Sequence, residues 1–495
     1  MYTDTAIEEI DILVRKSKKA FQQYRRMPLT ARAGLMRAIA FELEKTGDEL
    51  IHIAMKETNL PEARLKNERI RTMFQLTSYA DACEKGNWLD IRIDTAEPQR
   101  TPPKPDIRKM MVPLGPVVVY GASNFPFAYS TAGGDTASAF AAGCTVIVKA
   151  HPAHPETSSL VAKAIHAAIS RCGLPEYLFI HIFGASPETG KALVTHPDTK
   201  AVGFTGSFTA GKALFDWANQ RSEPIPVFAE MGSVNPVFLL PEKLKTSARE
   251  MAQQYAGSIT LGAGQFCTNP GLIIGVNSPE LEDFISALGT AMSQIPPATM
   301  LHEGIAKAYQ QKKSQALAQA GTSLVASPET ETDSLKAVPA VATVTGTTFL
   351  SNPLLHQEVF GPYSLVIRCS DVEEMLNVAQ HLEGQLTATL MATETDMRNH
   401  AELVEAAEDI CGRLIMNGVP TGVEVCLAMH HGGPFPATTD ARFSSVGADA
   451  IKRFARPVAY QNWPDSLLPE ALKNENPLAI WRTINNELTY KAVTE

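Results

Sequence analysis

The chain has 495 residues, a formal net charge of −9, 44% hydrophobic residues and 20% charged ones. That length suggests two to four structural units at roughly 100–200 residues each, with enough apolar material for a large core that needs no disulfide or metal staple. Mild acidity without a basic block argues against nucleic acid as the main partner.

The amino terminus, Met1 to Lys19, mixes acids and bases and has no apolar signal region. No run of about 18 apolar residues offers a membrane span. Seven scattered cysteines without a Cys-x-x-Cys pair argue against a disulfide framework or zinc ribbon. A reducing cytoplasm is the expected setting.

Residues 5–60 read as helices, with Ile7, Ile10, Leu13 and Val14, then Leu35, Met36, Ile39 and Leu43, at helical spacing. The polar stretch from Asp94 to Asp106, with Pro98, Pro102, Pro103 and Pro105, reads as an extended excursion. Five short apolar runs follow: Val117–Tyr120, Cys144–Lys149, Leu178–Phe183, Ala201–Phe204 and Val227–Ala229. Helical stretches separate them, over Thr131–Ala142, Glu156–Cys172, Pro187–Thr195 and Thr209–Gln220. This alternation predicts a parallel sheet covered on both faces. Ligands sit beyond the carboxyl ends of the strands in such sheets. A second α/β unit is expected from about Arg249, with a helix over Arg249–Leu261 and a strand over Leu272–Val276. Arg456 to Pro464 offers a late strand.

Five local features carry chemistry, and each has a plainer reading. Cys267, within Gly264-Gln265-Phe266-Cys267-Thr268-Asn269-Pro270, sits in loop chemistry, although a lone cysteine is most often a small buried hydrophobe. Glu230 ends the fifth strand. It can be a general base if partly buried, or a solvated turn residue. Asn124 follows the first strand, where its amide can stabilise an oxyanion or make a local turn bond. Lys149 ends the second strand and can meet a ribose or phosphate, or stay on the surface. The turn Gly203-Phe204-Thr205-Gly206-Ser207 leads into a helix and offers an anion site, but it is not the Gly-x-Gly-x-x-Gly fingerprint.

Taken in order, Asn124, Lys149, the Phe-Thr-Gly-Ser turn, Glu230, Cys267 in Gly-Gln-x-Cys and Glu358 in Gln357-Glu358-Val359-Phe360-Gly361-Pro362 resemble the aldehyde dehydrogenase superfamily. The resemblance runs from about residue 5 to 464. It implies an α/β fold: a Rossmann-like parallel-sheet cofactor domain (1–93 and 114–248), an α/β catalytic domain (249–440) and a bridging oligomerisation arm (94–113 and 441–495). It also implies a homodimer or homotetramer acting on a small aldehyde. By the same resemblance Cys267 is the nucleophile, Glu230 the general base and Asn124 the oxyanion donor. Lys149, Ser123, Gly206, Ser207, Glu358, Phe360, Pro152 and Met231 fall on the cofactor side. The reaction so implied oxidises an aldehyde to an acid through a thiohemiacetal and a thioester on Cys267.

The chain departs from the family's common Lys-Pro-Ala-Glu, reading Lys149-Ala150-His151-Pro152. The family's fourth residue is an acid that binds the ribose 2′-OH. With Pro152 in its place nothing anionic opposes a 2′-phosphate, so NADP is the expected cofactor, with NAD possible. The stretches Gly121–Pro126, Lys149–Pro155, Ala229–Pro236, Leu60–Arg69, Pro420–Val425 and His431–Arg442 are together similar to the branch of bacterial α-ketoglutaric semialdehyde dehydrogenases, related to NADP-dependent fatty aldehyde dehydrogenases. A keto-acid substrate needs a cation near the aldehyde, and Arg69, Arg71 and Arg442 are the candidates. Two alternatives stay open: a dehydrogenase of medium or long aliphatic aldehydes, and a non-catalytic binding protein. No metal site is expected, since His430 and His431 are merely adjacent and read as loop or packing residues.

Overall fold

The computed structural model describes residues 2–330 and 333–493. The chain opens with helices Ile7–Tyr24, Leu29–Lys45, Gly47–Thr58 and Glu62–Lys85. Ile10, Val14, Leu35, Met36, Ile39 and Leu43 are buried, as the helical period predicts, while Ile7 stays exposed.

The five apolar runs form one sheet: β1 (Val117–Tyr120), β2 (Val146–Lys149), β3 (Phe179–Ile182), β4 (Ala201–Thr205) and β5 (Val227–Glu230). All its pairs are parallel, in the order β3-β2-β1-β4-β5. Burial of nearly every strand residue explains why these segments are continuously apolar. The order reverses between β1 and β4, which opens a crevice beyond their carboxyl ends. The helix after β1 starts at Gly134 rather than Thr131, because Ser130–Gly133 first closes a turn.

A seven-stranded sheet carries the second layer. Its strands are β6 (Val237–Leu239), β7 (Leu272–Val276), β8 (Ser323–Ala326), β9 (Ala340–Thr345), β10 (Tyr363–Cys369), β11 (Gln385–Met391) and β12 (Cys411–Met416). They lie in the order β8-β9-β10-β7-β6-β11-β12, and only β8 is antiparallel to its neighbour. This unit starts earlier than expected: β6 precedes Arg249, and the next helix runs Pro241–Thr260. A three-residue strand between Pro236 and Pro241 is too short to stand out, and proline suits a helix's first turn.

Strands Ala455–Gln461, Ile107–Pro113, Arg92–Asp94, Arg482–Ile484 and Glu487–Thr489 form a third sheet, in that spatial order. The proline-rich stretch is the connection between its strands at 92–94 and 107–113. Among the described residues, no helix is long and apolar enough to cross a membrane.

Candidate active site

The chain passes from the first sheet to the second through Met231–Pro236, and the site is built around that passage. Asn235, buried with φ of 46°, is its anchor. Its side-chain amide donates to the carbonyls of Cys267 and Asn269, both at 2.9 Å. Its oxygen accepts from Ser233 and Thr387, each at 3.0 Å. The loop before Cys267 turns through Gly262, Ala263 and Gly264, all at positive φ. A side chain at Gly264 would sit 2.2 Å from the Gly361 carbonyl carbon, so glycine there lets the Glu358–Gly361 segment lie on the nucleophile loop.

Cys267, Glu230 and His431 converge. The Cys267 Sγ lies 3.7 Å from His431 Nε2, and that nitrogen lies 3.1 Å from Glu230 Oε1. Ser445 donates to Glu230 Oε2 at 2.9 Å. Glu230 is 4% exposed and His431 2%, so the pair is shut from bulk water. His431 is held by its backbone N–H, which donates to Ser444 Oγ at 3.0 Å. The segment 437–439 seats it against β5: Met231 N–H donates to the Ala437 carbonyl at 2.8 Å, and Thr439 N–H to the Ala229 carbonyl at 3.1 Å. His431 is therefore a member of the cluster, not the loop or packing residue expected from its neighbour His430. The donor atoms of the three residues lie within 4.8 Å of one another.

Burial pushes the Cys267 thiol well above its usual pKa, and the adjacent Glu230 carboxylate adds to the rise. Burial also works against charge on Glu230, but His431, Ser445 and Cys267 outweigh it, and its carboxyl stays below the usual range. The resting pair is thus a thiol beside a carboxylate. Asn124 donates its side-chain N–H to the Gln265 carbonyl at 3.2 Å, which fixes the amide beside the nucleophile loop. Its own carbonyl accepts from Arg64 at 2.7 Å.

The residues assigned to the cofactor separate into two groups. Gly206 N–H donates to the Glu230 carbonyl at 3.0 Å, and Ser207 caps the helix Phe208–Asn219. Ser123 is half-buried and Pro152 exposed, in the loops that follow β1 and β2. Lys149 is half-buried at the end of β2 and bonds only the Ala150 carbonyl, at 3.4 Å. Glu358 and Phe360 line a narrow cleft with Ser233, Phe266 and Asn269. Burial pushes the Glu358 carboxyl up to about 7. The Met231 side chain is instead buried against the helix Phe208–Asn219, where a Cβ at Gly211 would lie 2.6 Å from its Cγ.

Of the three candidate cations, Arg69 donates to the Gly47 carbonyl, away from Cys267. Arg442 is exposed and paired with Asp440 at 2.6 Å. Arg71 alone reaches the site's side of the molecule, donating to the Val423 carbonyl. Sequence reasoning also missed Asp4. Its carboxylate accepts from the backbone N–H groups of Ala185 and Ser186, at 2.8 and 3.0 Å, at the start of the helix Pro187–Thr195.

The profile of the aldehyde dehydrogenase family matches residues 2–435. The chain belongs to that family. Among relatives of this aldehyde dehydrogenase, α-ketoglutaric semialdehyde dehydrogenase 2 of Azospirillum brasilense is 49% identical over 467 residues, 94% of this chain and 89% of that one. The α-ketoglutaric semialdehyde dehydrogenase of Acinetobacter baylyi is 45% identical over 491 residues, 99% and 93% of the two chains. A glyceraldehyde-3-phosphate dehydrogenase of Methanocaldococcus jannaschii, solved with NADP, shares the fold at a TM-score of 0.78 and 19% identity, over 93% of this chain and 95% of that one. A Thermus 1-pyrroline-5-carboxylate dehydrogenase with bound NAD does so at 0.79 and 20%, over 93% and 86%. The aldehyde dehydrogenase fold, the enzyme class and the use of NAD(P) expected from the motifs are thereby established.

Proposed function

We propose that this enzyme oxidises α-ketoglutaric semialdehyde (2,5-dioxopentanoate) to 2-oxoglutarate. The two relatives named for that substrate support it. The observation that carries the chemistry is the contact of Cys267, His431 and Glu230 in one enclosed cluster.

NAD(P) fits the crevice between β1 and β4. Lys149 and the turn at Gly206 and Ser207 would hold its adenosine and phosphate side, with Ser123 and Pro152 alongside. Glu358, with Phe360 beside it, would hold the ribose near Cys267. A side chain at Gly232 would meet Glu358 Oε2 at 2.9 Å, so the glycine keeps that place open. When bound, NAD(P) supplies the two-electron acceptor for the oxidation.

Cys267 must become a thiolate to attack. Its proton passes to water that enters with the substrate, and His431 Nε2–H, which Glu230 Oε1 holds at 3.1 Å, faces the sulfur and steadies the thiolate charge. The sulfur adds to the aldehyde carbon, and the oxyanion forms between the Asn124 amide and the Cys267 backbone N–H. Oxidation of this adduct leaves a thioester on Cys267. Glu230 then takes a proton from water as the water attacks the thioester carbon, and the sulfur leaves as thiolate. The thiolate then takes that proton from Glu230, which restores the thiol and the carboxylate. Sulfur, imidazole and carboxylate would also suit a zinc ion, but an ion there would occupy the nucleophile, so the trio is read as catalytic.

The test compares kcat/KM for 2,5-dioxopentanoate and for hexanal on one preparation. The keto-acid aldehyde should win by at least about tenfold, a margin of one or two favourable contacts. A preference for hexanal moves the enzyme to aliphatic aldehydes.

Cofactor choice turns on Asp4. In dinucleotide folds an acid near the second strand's end takes the ribose 2′-OH, while a cation accommodates a 2′-phosphate. Pro152 leaves the first place empty, but the Asp4 carboxylate stands beyond β3, next to β2, and its charge is felt at Lys149. Hydrogen bonds from Ser186 and Ala185 hold its carboxyl down at about 2, so it is ionised at any working pH. Against the expectation of NADP from Pro152, we read Asp4 as favouring NAD. Asp4→Asn should shift the ratio of the two dissociation constants, read by tryptophan fluorescence, roughly 3- to 10-fold towards NADP, the size of one exposed charge interaction removed. An unchanged ratio refutes it.

The third sheet is read as the means of subunit association. Its outer strands, Ala455–Gln461 and Glu487–Thr489, are edges in the single chain, and Trp481, Leu488 and Tyr490 beside them are exposed.

A further inference from the structure

Two arginines grip the same short stretch of chain from opposite sides. Arg413, on β12, donates to the carbonyls of Pro420 and Gly422 at 2.8 and 3.1 Å. Arg71, on the helix Glu62–Lys85, donates to the carbonyl of Val423. That stretch rests on the nucleophile loop, since Gly422 N–H donates to Thr268 Oγ1 at 3.3 Å, one residue from Cys267. Both guanidinium groups act electrostatically on Tyr129, and Arg413 also acts on Cys267.

Among the described residues neither arginine is ion-paired to a carboxylate; both donate to backbone carbonyls. The Nε atoms of both, and the Tyr129 hydroxyl, are buried with no hydrogen-bond partner. Buried donors without partners are rare and costly. Glu68 lies within electrostatic reach of Arg71; its Oε1 accepts from the N–H groups of Phe127 and Ala128 at 2.8 and 3.0 Å and its buried Oε2 is unpartnered, yet the two residues form no ion pair. Three unmet donors and two unpaired cations beside the nucleophile make a receptor for an anion carried by the substrate.

We propose that Arg71 and Arg413, with the Tyr129 hydroxyl, bind the carboxylate of the substrate and set the enzyme's choice of an ω-aldehyde of a keto acid. The proposal rests on the substrate reading above and adds the residues that enforce it. A guanidinium fork matches a carboxylate in a way an ammonium does not, so lysine should be a poor replacement.

The test measures kcat/KM for 2,5-dioxopentanoate and for hexanal in wild type, Arg413→Met, Arg71→Met and Arg413→Lys. A second readout is protection of Cys267 from iodoacetamide by 2-oxoglutarate, which needs no turnover. The keto-acid to hexanal ratio should fall at least roughly 30-fold in each methionine variant, the size of a buried charge pair broken, and protection should be lost. The lysine variant, which folds with its charge kept, should show most of that fall. Equal losses on both aldehydes, or retained protection, would overturn the clamp while leaving the substrate reading standing. A wild type that prefers hexanal would overturn both.

Discussion

Cys267→Ala is expected to reduce aldehyde oxidation by about 10⁴-fold or more, since removal of a covalent nucleophile is among the largest single-residue losses in catalysis. Binding of NAD should survive, because the assigned cofactor residues lie on other loops. The measurement pairs turnover with NAD titration by fluorescence. Labelling must be resolved by peptide, because Cys172 and Cys426 are exposed. The unliganded Cys267 thiol is held protonated by burial and by Glu230, so its alkylation should be slow at neutral pH and faster as pH rises. Full turnover in the alanine variant would remove the cysteine from the mechanism.

Glu230→Gln and His431→Phe should separate the two halves of the reaction. The amide keeps a hydrogen-bonding shape but cannot take a proton from water. Deacylation should slow by roughly 10²- to 10³-fold while a first-turnover burst of reduced cofactor remains. His431→Phe should instead slow the burst, because the attacking thiolate loses the Nε2–H that faces it at 3.7 Å. Since Glu230 and His431 share a 3.1 Å contact, the double variant should cost less than the product of the two single losses. A lost burst in Glu230→Gln, or an untouched one in His431→Phe, would reverse the assignment of roles.

The sheet was legible because its strands are buried on both faces, and burial writes itself as short continuous apolar runs. Val117–Tyr120 was read to the residue; Phe179–Ile182 and Val227–Glu230 were read to within one residue at each end. Val237–Leu239 was missed because a three-residue strand carries no period. Cys267, Glu230 and Asn124 stood out through their loop neighbours and their order. His431 did not, since what brings it to the sulfur is a turn near Ser444 and the pairing of 437–439 with β5. Arg413 looks like any mid-strand residue, and only its unmatched Nε sets it apart. Asp4 was hidden more simply: the residues it caps lie far along the chain, and no local pattern marks a carboxylate that folds back onto a distant helix.

The closing of the cluster by residues 431–445 has a consequence for protein synthesis. A ribosome delivers the nucleophile long before it delivers His431 and Ser445. Until that late segment folds against β5, the sulfur has no imidazole beside it and the carboxylate lacks His431 and Ser445. Nascent and truncated chains that lack it therefore carry a cysteine of ordinary reactivity, and the enzyme gains its chemistry only once residues 431–445 have been made and folded.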